Sequence, residues 1–254
     1  LFVEERLQKT IELLKIKKKV TINDLMKEFS VSDVTIRKDL SKLEKQNILQ
    51  KTHGGAILNE SIMSVPSIYQ RRVINNQIKE KLGMKAAELI KENEIIMLDS
   101  GTTILEIAKK LTKFNDLIVV SNSLDVCVEL VNCGGIKVVS TGGIIDKKNL
   151  SMRGAAAEQT LSRYKANKAF IGISSLTLKY GFTTSDEQAA RVKRKMMESA
   201  NQVIAVGDSS KFDKVSFAPV CSLDEIDIVI TDKNLPKEYM DAFLKKKIQV
   251  YLVD

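Results

Sequence analysis

Apolar residues recur with a helical period through the first 45 positions, and the pattern then changes to the short runs of strands. Leu7, Ile11 and Leu14 share one face of a first predicted helix, with Glu4 and Glu5 at its positive end and Lys17, Lys18 and Lys19 at its negative end. Ile22, Leu25, Met26 and Phe29 form the inner face of a second, opened by Thr21 as N-cap with Asp24 completing a capping-box-like pair. Ile36, Leu40 and Leu43 face inward on a third, with Ser32 as its N-cap. Only Ser30 and Val31 lie between the second helix and that cap. Two helices joined so tightly predict a helix-turn-helix, whose second helix enters a DNA major groove. Residues 48–58 then read as two strands around a Gly54-Gly55 turn, the pattern of a wing.

The outward positions of the third helix are Asp33, Val34, Thr35, Arg37, Lys38, Ser41 and Lys42. Arginine and lysine suit guanine acceptors or phosphates, and hydroxyls suit either. Ser32, Thr35, Arg37, Lys38, Ser41 and Lys42 are therefore the candidate DNA contacts of the helix, with Lys51 and His53 those of the wing. Val34 is out of place on that face unless it meets a thymine methyl or a neighbouring side chain. A plain three-helix bundle with a solubilising surface explains the charges but not the wing.

Residues 61–80, with Ser64, Pro66 and Ser67 ahead of Tyr69-Gln70-Arg71-Arg72, read as a linker into a helix over 75–91. From Glu94 strands and helices alternate: a strand over 95–98, a helix from Thr103, a strand over 117–120, a helix from Leu124, a strand over 137–140, and a later strand over 169–173. This alternation predicts a three-layer α/β domain with a mainly parallel sheet, whose ligands bind at the carboxyl ends of its strands. The expected domains are thus 1–60, a winged helix-turn-helix; 61–80, a linker; and 81–254, an effector-sensing α/β domain.

Composition adjusts this picture little. Of the net charge of +8, nearly all falls in the first 85 residues, which carry 17 basic and 10 acidic side chains. A basic front on a near-neutral body fits a DNA-binding head. No apolar run reaches the length of a membrane span, and no secretory leader pattern opens the chain. Cys127, Cys133 and Cys221 are few, odd in number and not spaced as zinc ligands, so a cytoplasmic protein without structural metal or cofactor is expected.

Candidate chemistry gathers at the predicted strand ends. Ser100, Gly101, Thr102 and Thr103 follow one strand and open a helix, an arrangement suited to phosphate. Ser121, Asn122 and Ser123 close the next strand, and Thr141, Gly142 and Gly143 the one after. Ser185 and Gln188 fit a capping box, with Asp186 and Glu187 either first-turn acids or sugar-hydroxyl acceptors.

The ordered motifs resemble the DeoR family of bacterial transcriptional regulators. They are Val31-Ser32-Asp33-Val34-Thr35-Ile36-Arg37-Lys38-Asp39-Leu40, His53-Gly54-Gly55-Ala56, Leu98-Asp99-Ser100-Gly101-Thr102-Thr103, Ser121-Asn122-Ser123, Thr141-Gly142-Gly143, Gly181-Phe182-Thr183-Thr184 and Gly207-Asp208-Ser209-Ser210-Lys211-Phe212. The resemblance implies a body with the fold of ribose-5-phosphate isomerase, an effector that is a phosphorylated sugar or a close relative, and repression of a sugar-catabolic operon. It also implies Lys193 and Lys211 as candidates to neutralise an effector phosphate. The bland alternative for each lysine is a surface position.

The rival is a sugar-phosphate isomerase or deaminase. Such an enzyme needs a positioned base, usually a carboxylate. Ser174 stands where many relatives carry Asp or Asn, and serine is a poor base. With His53 the single histidine, no nucleophile–histidine–acid set exists. A constitutive DNA binder with a vestigial body is a third reading, disfavoured by the three convergent loops. The expectation is a non-enzymatic regulator that binds double-stranded operator DNA, probed by a phosphorylated sugar and acting as a homo-oligomer away from membranes.

Overall fold

The computed structural model describes residues 2–45, 48–58 and 68–254. The chain divides into two units, Leu1–Ile74 and Asn75–Asp254. Ser64, Pro66 and Ser67 of the expected linker lie outside the described residues.

The first unit runs α1 (Val3–Lys17), β1 (Lys19–Thr21), α2 (Ile22–Phe29), α3 (Asp33–Lys45), β2 (Leu49–Thr52), β3 (Gly55–Leu58) and α4 (Ile68–Val73). Leu7, Ile11, Leu14, Ile22, Leu25, Phe29, Ile36, Leu40 and Leu43 are all buried in one core, as their helical spacing requires. Thr21 caps α2 by accepting from the Asp24 amide at 3.1 Å. The Ser32 hydroxyl accepts from the Thr35 amide at 3.4 Å at the start of α3. Between them Ser30 adopts a left-handed conformation, φ 53°, which turns the chain within the space of two residues.

Two features of this unit depart from the sequence reading. Lys18 ends α1 in the left-handed region, and Lys19 already belongs to β1, a strand the lysine run concealed. The wing is therefore a three-stranded sheet in the order β1-β3-β2. Its hairpin turn is His53-Gly54, not Gly54-Gly55. Gly55 is a strand residue paired with both Thr52 and Thr21. A Cβ there would land on the Val20 carbonyl oxygen and 2.8 Å from Thr21 Cα, so the approach of the third strand is what requires glycine.

The second unit continues with α5 (Asn76–Ala87), β4 (Glu94–Leu98), α6 (Thr102–Ala108), β5 (Leu117–Ser121), α7 (Leu124–Leu130), β6 (Ile136–Ser140), β7 (Ile144–Asp146), β8 (Ser151–Arg153), α8 (Ala155–Ser162), β9 (Ala166–Gly172), β10 (Ser175–Thr177), β11 (Gly181–Thr184), α9 (Glu187–Glu198), β12 (Ala200–Val206), β13 (Ala218–Cys221), β14 (Ile228–Asp232), α10 (Lys237–Lys245) and β15 (Gln249–Val253). Seven strands form a parallel sheet in the order β15-β14-β12-β9-β4-β5-β6. Along β4, Ile96 and Leu98 face a core built with Leu82, Ile104, Ile107 and Val126 from α5, α6 and α7. Met97 faces the opposite core, with Leu161, Met196 and Phe243 from α8, α9 and α10. Burial on both faces explains why these strands are continuous apolar runs rather than alternating ones. The result is three layers. An antiparallel sheet, β10-β11-β13, and the ribbon β7-β8 complete the unit.

Strand order reverses between β4 and β9. From β4 the chain builds outward through β5 and β6, and from β9 through β12, β14 and β15. At such a switch point the connections leave on opposite faces, and a crevice opens beyond the carboxyl ends of the two strands.

Gly55→Ala should destabilise the first unit by about 1–3 kcal/mol, because β1 and β3 must move apart. Gly54→Ala, at a turn position where an added Cβ meets nothing within 4 Å, should change stability by less than about 0.5 kcal/mol. Urea unfolding of the two variants followed by circular dichroism checks the contrast, and equal losses would show that β1 does not press on Gly55.

Candidate nucleic-acid interface and effector site

The outward face of α3 carries Arg37, Lys38, Ser41, Lys42 and Lys45, with Val34 at its leading end, and these six residues line one open depression. The acids that nearly balance this helix in sequence are disposed elsewhere. Asp39 is buried, and both its oxygens take hydrogen bonds from Arg6 of α1, at 2.6 and 3.3 Å. Asp33 pairs with Arg37 one turn on and raises that guanidinium's pKa by hydrogen bonding and charge. Glu44 accepts from the Lys51 amide at 3.0 Å, which with the Lys51 side chain lowers its pKa. The free surface of α3 is thus more basic than its composition.

The sequence-predicted contacts fall into distinct places. Lys38 and Lys42 are exposed on α3. Ser32 and Thr35 share a hydrogen bond at 3.0 Å between their hydroxyls. Ser41 donates to the Arg37 carbonyl at 2.7 Å. Lys51 reaches back from β2 to Ser41 Oγ at 3.0 Å and to Glu44 at 3.1 Å, so that it ties the wing to α3. His53 is exposed at the hairpin tip. Arg72 lies over the Tyr69 ring in α4, 5.4 Å from its centroid.

In the second unit Asp99 organises the carboxyl ends of β4 and β9. This residue follows β4 and is 1% exposed. Its Oδ2 accepts from the Gly172 amide at 3.0 Å and from Lys193 Nζ. Lys193 also donates to the Gly172 carbonyl at 3.0 Å. It is not a surface residue, and its ammonium is committed to a buried carboxylate, because α9 packs its inward face over the ends of both strands. Asp99 Oδ1 is buried and has no hydrogen-bond partner among the described residues.

The predicted loops follow β4, β5 and β6 at this same edge of the sheet. Gly101 opens α6 at φ 128°, a conformation that excludes side chains, and the space an added Cβ would occupy is empty to 4 Å. Thr102 and Thr103 are buried. Ser121 donates to the Leu98 carbonyl at 2.7 Å and accepts from the Ser123 amide at 3.1 Å, while Ser123 caps α7 through the Val126 amide at 3.3 Å. Both hydroxyls are thus engaged in holding β5 to β4 and α7 to β5. Asn122 between them is buried, with its Oδ1 unpartnered among the described residues. Gly142 and Gly143 leave β6 with φ of 65° and 104°. Ser174, at the end of β9, is exposed and presents a hydroxyl, 3.5 Å from Thr184 Oγ1.

Residues 185–188 differ from the expected capping box. Asp186, not Ser185, is the N-cap of α9, accepting from the Ala189 amide at 2.9 Å, and it also meets Arg153 at 2.9 Å. The aspartate sits one residue closer to the free amides of the first turn. Glu187 is exposed and paired with Arg191 and Arg194 on its own helix.

Lys211 belongs to a separate cluster after β12. Asp208, 1% exposed, accepts from the Asn75 side chain at 3.2 Å and the Ser210 amide at 3.1 Å. Burial pushes the Asp208 carboxyl up, but the Lys211 charge, the Ser210 hydrogen bonds and the Lys79 charge outweigh it and hold it below its ordinary value. Lys79, buried on α5, was not singled out in the sequence, where nothing separates it from the neighbouring lysines. Among the described residues no group of His, Cys, Asp and Glu is placed to hold a metal ion. Burial raises the Cys221 thiol to about 12, which keeps it from reacting as a thiolate. No described helix is long and apolar enough to cross a membrane.

A cation-faced recognition helix with a wing, followed by a parallel sheet with a polar crevice at its switch point, defines a DNA-binding regulator with a sensor body. The DeoR-like helix-turn-helix domain matches residues 6–62 and the DeoR C terminal sensor domain residues 74–233. The HTH-type transcriptional regulator YulB of Bacillus subtilis is 35% identical over 100% of this chain and 98% of its own length. The HTH-type transcriptional repressor GlcR of the same organism is 33% identical over 100% of the chain and 98% of its length. Ribose 5-phosphate isomerase A of Methanocaldococcus jannaschii is similar to 54% of this chain over 55% of its own, at 16% identity and a TM-score of 0.40. The chain belongs to the DeoR family of transcriptional regulators.

Lys193→Met should cost about 3–5 kcal/mol of stability, since it leaves Asp99 buried without its counter-charge. Adding Asp99→Asn should recover most of that loss. Chemical denaturation of the single and double variants reads the coupling, and strictly additive losses would show that the two groups do not act as a pair.

Proposed function

We propose that this regulator represses a sugar-catabolic operon in the cytoplasm, and that a phosphorylated sugar bound in the strand-end crevice governs its hold on the operator. The observation that carries the DNA half is the stripe Arg37, Lys38, Ser41, Lys42 and Lys45 on a helix whose own acids are turned inward or paired. Lys38, Lys42 and Lys45 suit phosphates and base acceptors. Ser32, Thr35, Arg37 and Ser41 join them at the groove, with His53 at the wing tip. Lys51 acts by bracing the wing against α3, and it meets a phosphate only by loosening its hold on Glu44. A homo-oligomer presenting two heads to repeated or palindromic half-sites matches the usual geometry of such helices.

The effector half rests on the crevice. Ser100 to Thr103 offer backbone amides and hydroxyls beside a glycine with open space above it, a setting for phosphate. Buried polar atoms normally have partners, and Asp99 Oδ1 and Asn122 Oδ1 point to sugar hydroxyls as theirs. Gly142 and Gly143 let the β6 loop approach closely. Ser121, Ser123 and Lys193 support these groups from behind, while Glu187 and Lys211 stand at the margins. The family's repressors, of which GlcR is one by name, favour repression over activation. An effector changes operator affinity only by binding the DNA-competent and released states unequally.

Arg37→Ala should weaken binding to the cognate operator by about 1–3 kcal/mol, roughly five- to 150-fold, with native circular dichroism and little change on random DNA. Retained specific affinity in gel shift would remove α3 from the reading. For the effector, a panel of aldose, ketose and polyol phosphates should contain at least one that stabilises the protein by about 2.7 kcal/mol at a hundred times its Kd. The same compound should shift operator affinity. A panel without effect on either stability or DNA binding would end the effector half alone.

A further inference from the structure

We infer that Val34 reads the methyl group of a thymine in the operator, making it a determinant of sequence specificity; the inference rests on α3 being the recognition helix. Val34 is 62% exposed, although the aliphatic residues at the helix's inner positions are buried completely or nearly so. It is the second residue of α3, in the turn that reaches base edges when such a helix enters a major groove. Its neighbours on the same depression are Arg37, Lys38, Lys42 and Lys45. Arg37 and Lys38, one turn on, flank this aliphatic side chain, and Lys42 and Lys45 continue the same face, which makes it a poor seat for an apolar protein surface, since binding one would strip the cations of water. The cations make a good seat for a polyanion.

The rest of the first turn is already engaged. Ser32 and Thr35 bond each other at 3.0 Å, and Asp33 holds Arg37. Val34 is the side chain of this turn that points outward with no hydrogen-bonding duty. Within the major groove the one apolar group on a base edge is the thymine C5-methyl. A valine in a helix keeps essentially one χ1 rotamer, so little side-chain freedom is lost when it packs. One methyl contact removed from water corresponds to about 0.8 kcal/mol, or about fourfold in affinity.

The test starts from the DNA sequence that the full-length wild-type protein enriches from a random duplex library. Each thymine of that site is then replaced singly by deoxyuridine, which removes the methyl and nothing else. Binding of wild type should fall about fourfold at one thymine per half-site and stay level at the others. Val34→Ala should bind the thymine and deoxyuridine forms of that position equally, with an unchanged melting temperature. A specific site at which no deoxyuridine penalty depends on Val34 would overturn the inference while leaving the recognition helix intact. If Val34→Ala instead altered the oligomeric state in sedimentation, Val34 would belong to a protein contact and the inference would fall. Failure to enrich any sequence would overturn the recognition-helix reading and this inference with it.

Discussion

Asp99 and Lys193 bring opposite charges to the buried, adjoining ends of β4 and β9 in the large sheet. The carboxylate follows β4, the ammonium comes from α9, and both also bind the peptide of Gly172 at the end of β9. A buried charge without its partner is costly, so these three elements hold one arrangement. That arrangement lies across the switch point of the strand order. It leaves Asp99 Oδ1 buried without a hydrogen-bond partner among the described residues, while Ser121 and Ser123 brace the adjoining loop. Asp99, one of the groups proposed to meet a sugar phosphate, owes its position to this pair.

The first unit uses the same principle on a smaller scale. The Arg6–Asp39 pair joins α1 to α3 within the core, and Glu44 with Lys51 joins the wing to α3. The first pair buries an acid of α3, and the second neutralises one that stays exposed. The structural ties and the electrostatic character of the DNA-facing helix are therefore one arrangement of charges. The wing depends in turn on β1, which Gly55 admits to the sheet by having no side chain.

A three-layer α/β body with polar loops at its switch point serves catalysts and sensors alike. What distinguishes this chain is chemical. The end of β9 presents the hydroxyl of Ser174, and the nearby carboxylate of Asp99 is tied to a lysine and an amide. Family membership places the chain among regulators.

Much of both units was legible in the chain. The helical spacing of Leu7, Ile11 and Leu14, the Thr21 and Ser32 caps and the apolar runs of β4, β5, β6 and β9 are local signals, since each depends on neighbours a few residues away. So is the sequence of strand-end motifs from Ser100 to Gly143. Other features depend on partners far along the chain. Asp39 counts as one more surface acid until Arg6, 33 residues earlier, is brought beside it. Lys193 is indistinguishable from a surface lysine until α9 lays it against Asp99, 94 residues earlier. Gly55 reads as part of the hairpin turn until β1 pairs with it. The sequence by itself determined the three helices and hairpin of the first unit, the strand–helix alternation that opens the second, and the family; tertiary structure alone decided which charges face water and which are held inside, because pairing across such distances has no periodicity to betray it.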